Sequence, residues 1–141
     1  MNINSIKLYA IITALAFSSC NEPEGFQQPE DPLDAGREFI RATLDGDFEK
    51  AALYVADNQE DKEIFDRYEA YMKKQPKAER LKLKSASIII NHVEKISDSV
   101  TIINFSNSSS MKPTDLKVVK TESTWKVDFS YTFSGNLPVH D

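Results

Sequence analysis

The stretch from Arg37 to Val55 constrains the fold more than any other part of the chain. Phe39, Ile40, Thr43 and Leu44 recur at helical spacing, and Gly46 stands where a helix stops with φ > 0. Asp47 is placed to cap a second helix, in which Phe48, Ala51, Ala52 and Val55 fall at i, i+3, i+4 and i+7. A helix, a glycine stop and a second helix leave one apolar side that the rest of the chain must cover. Phe48 and Val55 would each contribute about 1.5–3 kcal/mol on full burial.

The helical pattern extends on both sides. Asp31-Pro32-Leu33-Asp34 opens the first helix, with Asp31 as cap and Pro32 in the first turn. The first helix is expected to run to about Asp45, and the second from Phe48 to about Ala56. Asn58 caps a third, where Ile64, Phe65, Tyr68, Tyr71 and Met72 form an apolar stripe that ends at Pro76. From Leu81 the period becomes strand-like. Leu81-Lys-Leu-Lys-Ser alternates, and Ile88-Ile-Ile then breaks the alternation, which predicts a bulge or burial on both faces. Val100 to Phe105 forms a second strand after the turn Ser97-Asp98-Ser99, and Leu116 to Lys120 a third. Trp125, Val127, Phe129, Tyr131 and Phe133 alternate with polar residues in a fourth. Three helices followed by a four-stranded antiparallel meander is an α+β arrangement. Trp125, Phe129 and Phe133 are expected to pack on Phe39, Phe48, Phe65 and Tyr68.

The chain has 141 residues, enough for one domain with a leader and a tail, and enough to bury a core without a metal or disulfide. Its formal charge of -5, with no basic stripe carrying interleaved aromatics, argues against a nucleic-acid partner. There is a single cysteine, Cys20, so no intrachain disulfide can form.

Residues 1–19 account for that cysteine. Lys7 gives a weakly positive start, and Leu8 to Phe17 is an apolar run too short to span a bilayer but suited to a signal peptide. Phe17-Ser18-Ser19-Cys20 resembles the lipobox of bacterial lipoproteins, which implies an acylated Cys20 as the mature N-terminus. The alternative is a free cysteine after an ordinary secretory cleavage. Several acyl chains, at about 0.8 kcal/mol per buried methylene, would make the anchor permanent. Residues 20–30 read as a polar tether, residues 31–134 as the domain and residues 135–141 as a tail. Asn21 does not resemble an inner-membrane retention signal, which points to the outer membrane and leaves its two sides open.

Asp45-Gly-Asp-Phe-Glu-Lys-Ala51 between helices, and Thr124-Trp-Lys-Val127 in the last strand, carry a resemblance. The region of about residues 32–133 is similar to the nuclear transport factor 2-like (cystatin-like) superfamily, and within it to a domain of unknown function in short envelope lipoproteins. That resemblance implies a sheet curled into a cone against the helices, with a cavity between them. Such domains commonly have an Asp-Gly hairpin before the tryptophan; Glu122-Ser123 in its place implies a wider turn. Enzymes of the superfamily use an Asp or His base with a Tyr acid inside the cone.

Little here carries chemistry. His92 and His140 are the only histidines and lie far apart, so no metal cluster is expected. His92 reads as a surface or edge residue. Asp128 would be the base of a cone enzyme, but it alternates away from the aromatic face and should meet water. Lipidation would consume the only thiol. No catalytic residue and no cofactor are assigned. Tyr54, Phe65, Tyr68, Tyr71, Trp125, Phe129 and Tyr131 would line a ligand cavity between the third helix and the fourth strand; the same residues also read as plain core. Asp98-Ser99-Val100 matches a bacterial O-glycosylation pattern at Ser99, and equally an ordinary turn. The expected function is an interaction or accessory module on a membrane anchor, with an envelope protein as partner. The alternatives are a small apolar-ligand binder and, more remotely, an isomerase or dehydratase.

Overall fold

A computed structural model describes residues 26–133. The leader, Cys20, most of the tether and the tail with His140 lie outside the described residues. The architecture is α+β: helices come first, and a curved, unclosed antiparallel sheet of order β1-β2-β3-β4 follows. The elements are α1 (Pro32–Asp45), α2 (Phe48–Ala52), α3 (Gln59–Lys73), α4 (Lys77–Lys84), β1 (Ile88–Ser97), β2 (Val100–Asn107), β3 (Thr114–Thr121), β4 (Thr124–Asp128) and α5 (Phe129–Phe133).

The helix boundaries follow from local chemistry. The Asp31 carboxylate accepts from the Asp34 backbone N–H at 2.9 Å, Pro32 follows it, and Gly46 closes α1 at φ 75°. Asp47 caps α2 through the Lys50 N–H at 3.0 Å, and Asn58 caps α3 through the Asp61 N–H at 2.9 Å. These side chains satisfy backbone donors that a helix start leaves open, each cap contributing about 1 kcal/mol. α1 lies closely on the sheet. A β-carbon at Gly36 would sit 2.5 Å from Ile103 Cδ1, so the glycine sets that approach distance. Ile103, Leu116, Val118 and Val127 are fully buried beneath it.

Four expectations are corrected. The second helix ends at Ala52, not near Ala56. Tertiary pairing takes over there: the Ala56 N–H donates to the Val127 carbonyl at 2.9 Å and the Val127 N–H to Tyr54 at 2.6 Å. This short parallel pairing covers the outer edge of β4. Leu81-Lys-Leu-Lys-Ser is not a strand, because Leu81 to Lys84 belong to α4. Every residue from Lys77 to Lys84 is a strong helix former, and propensity outweighs a four-residue alternation. Arg41 secures the end of that helix, donating to the carbonyls of Ala86 at 2.8 Å and Lys84 at 3.1 Å.

The fourth strand stops at Asp128, and the chain turns into α5. Asp128 acts as an N-cap, its Oδ1 accepting from the Tyr131 N–H at 3.1 Å. The inward set then changes from period two to helical spacing. Phe129 and Thr132 are buried, Phe133 packs beside them, and Tyr131 points outward at 52 % exposure. The β3–β4 hairpin is not wide: Thr121 pairs with Thr124 across Glu122-Ser123. Glu122 adopts φ 58°, the left-handed conformation that a glycine turn would otherwise supply. The bulge expected near the isoleucine triplet is present as a register shift between Ile90 and His92.

Candidate functional site

The space between α3 and the end of β4 is occupied by rings. Phe129 meets Phe65 edge-on at 5.3 Å, Tyr68 at 5.4 Å and Phe39 at 5.8 Å. Phe133 stacks on Phe129 at 4.2 Å and reaches Tyr68 at 5.2 Å. Phe48 joins from α2 through Phe65 and Tyr68. Burial raises the Tyr68 hydroxyl to about 12, against a hydrogen bond with Thr43 that lowers it. These contacts are those of a packed aromatic core, each pair adding about 0.5–1.5 kcal/mol beyond area burial.

Of the residues expected to line a cavity, Phe65, Tyr68 and Phe129 come together in this cluster. Trp125 is buried on β4 outside these ring pairs, and its contact is with the Lys120 ammonium, 5.7 Å over the ring. Tyr71 and Tyr131 are exposed at 38 % and 52 %. Tyr54 lies apart, buried with its ring 5.3 Å from Phe26. Ser99 sits exposed in the two-residue turn between β1 and β2. His92 is exposed on β1, an outer strand of the sheet.

Asp128, the residue a cone enzyme would use as base, is half-buried and occupied. Lys117, its register partner across the sheet, approaches Oδ2 at 2.8 Å. Oδ1 accepts from the Ser130 hydroxyl at 3.0 Å as well as from the Tyr131 N–H. Burial pushes this carboxyl upward, but the Lys117 hydrogen bond, with those from Tyr131 and Ser130, outweighs it and leaves the group below its ordinary value. A depressed carboxyl stabilises the fold above its unfolded value and ceases to do so as pH falls through the folded value. Urea midpoints of the native chain should therefore fall more steeply than those of Asp128→Asn as pH drops from about 5 toward 2. Parallel pH profiles for the two would remove Asp128 from the acid sensitivity of the fold.

Two concavities open on other sides. One, of about 1030 Å³, lies between residues 26–31 and the α1–α2 corner, with Phe26, Glu38, Lys50 and Tyr54 among its walls. Half of its charged side chains are committed: Asp31 and Asp47 are caps, and Lys50 pairs with Glu38 at 2.7 Å. That hydrogen bond is the main cause of the raised Lys50 value. The other, of about 270 Å³, lies between the end of α1, α2, the end of α3 and α4. The strand-like alternation of Leu81 to Lys84 hides this crevice from the sequence. The signal available was the helix-forming run after Pro76.

Among the described residues no cluster of three His, Cys, Asp or Glu side chains could hold a metal ion, and no helix is long and apolar enough to cross a membrane. Comparison with protein-family models, curated proteins and solved structures finds no match to this chain.

Proposed function

We propose that the chain is a lipid-anchored envelope lipoprotein, held in the outer membrane by acylated Cys20, whose nuclear transport factor 2-like domain binds a partner and performs no chemistry. The anchor reading is supported by the short apolar run Leu8 to Phe17 followed by Ser18-Ser19-Cys20. The order of helices and antiparallel meander supports the superfamily reading. One observation carries the preference for binding. The place where a cone-fold enzyme keeps its site holds six interlocked rings, Phe39, Phe48, Phe65, Tyr68, Phe129 and Phe133, and the adjacent Asp128 is committed to Lys117. The two concavities described above open to solvent, as a partner-binding surface requires.

The test has two arms. Intact mass of the membrane fraction should show a chain beginning at Cys20 with added acyl mass, and Cys20→Ser should release the protein from membranes. A soluble native product with a free thiol would overturn the anchor. Cross-linking in intact envelopes should capture a recurring protein partner. Turnover of a small-molecule substrate abolished by Asp128→Asn would overturn the binding reading.

A further inference from the structure

The 270 Å³ crevice beside α4 combines an apolar floor with a cationic rim. Leu44 and Phe48 are buried at its base, and Met72 and Leu83 are partly buried beside them. Lys77, Arg80 and Lys84 line the same space from α4. The ion pairs of the described residues engage none of these three cations. The acid on the lining, Asp45, is already held by Arg41 at 2.9 Å. A chain of net charge -5 thus concentrates unneutralised positive charge around one greasy slot.

α4 itself buries no residue, and Leu81 on it is 56 % exposed at the crevice. Its hold on the body includes the two Arg41 hydrogen bonds at its C-terminal end and the partial packing of Leu83. Such a helix has little inward packing to lose when an occupant slides beneath it.

We infer that this crevice binds the monoanion of a single-chain fatty acid. The alkyl chain would lie on Leu44, Phe48, Met72 and Leu83, and the carboxylate would sit among Lys77, Arg80 and Lys84. Charge complementarity selects this occupant. Lys77, Arg80 and Lys84 are exposed at the crevice mouth, where a neutral alkyl ligand would engage none of them, whereas one carboxylate offers oxygens for charge-assisted hydrogen bonds with Arg80 and a flanking lysine. The volume lies just under the roughly 300 Å³ at which drug-sized pockets begin, which suits one alkyl chain better than the two of a phospholipid. The assignment is independent of the anchor, since it uses no residue before Thr43.

The experiment uses the full chain in its native membranes and a diazirine-bearing dodecanoic acid as photoprobe, with label positions read by mass spectrometry. Label is expected on the segments carrying Met72 and Leu81 to Leu83, displaced by plain dodecanoate and not by dodecyltrimethylammonium. Arg80→Glu and Lys84→Glu should each lower labelling at least fivefold. Lys82→Glu makes the same charge change on the same helix outside the crevice lining and should leave labelling within twofold. Equal labelling by the matching dodecanol probe would overturn the assignment, as would equal loss in Lys82→Glu. Label centred elsewhere, or an α4 cross-link to a second copy or another protein that fatty acid does not displace, would also overturn it. Circular dichroism of each variant separates lost folding from lost binding, because the substituted α4 side chains are all exposed.

Discussion

Replacing Phe129 by alanine is expected to destabilise the domain by about 3–5 kcal/mol, a large share of what a domain of this size has to lose. The ring is fully buried and touches Phe39 of α1, Phe65 and Tyr68 of α3, and Phe133 of α5. It is therefore the point at which the first helix, the third helix and the C-terminal turn meet. Truncation leaves a void that three elements must close together, and aromatic rings on rigid helices relax poorly into such a space. Urea denaturation of the non-acylated chain measures the loss. A cost below roughly 1 kcal/mol would mean that the cluster collapses around the gap, and that the junction is not close-packed.

Removal of the Asp61 carboxylate should cost about 2–4 kcal/mol, for a polar reason. Asp61 is 2 % exposed at the start of α3. Its Oδ1 accepts from the Ser130 backbone N–H at 2.5 Å, and its Oδ2 from the Asn58 amide at 2.6 Å. The first bond ties α3 to α5 across 69 residues of sequence. Asp61→Ala leaves the N–H of half-buried Ser130 without its acceptor, which costs more than that bond itself contributes, and releases the amide of exposed Asn58 to water. Asp61→Asn keeps one acceptor but turns an N–H₂ group toward that of Asn58, which cannot flip without losing its cap on the Asp61 N–H. About half of the alanine loss is expected. Amide exchange at Ser130 should accelerate in both variants ahead of the sheet. Unchanged protection at Ser130 would show that α5 is held by its rings alone.

Much of the fold was legible because it is written in local chemistry. Asp31-Pro32, Gly46, Asp47 and Asn58 mark helix ends by hydrogen bonds to neighbours three residues away, and these remain the same whatever the rest of the chain does. The β-branched runs of β2 and β3 and the Asp98-Ser99 turn are local in the same sense.

Where local signals competed, tertiary structure decided. Leu81-Lys-Leu-Lys satisfies a strand period and a helix propensity at once, and the Arg41 guanidinium, 43 residues away from Lys84, holds the helical choice in place. Trp125 to Phe133 alternates throughout, yet α5 forms because Asp128 and Asp61 together accept the Tyr131 and Ser130 N–H groups, and the second of those carboxylates belongs to α3. Alternation of side chains cannot report a backbone acceptor supplied from another element. The same limit governed the site. An aromatic stripe specifies burial but not whether rings enclose a ligand or one another, because that depends on three-dimensional spacing. The crevice beside α4 was likewise outside the reach of sequence, since its floor and its cationic rim come from four helices that only packing brings together.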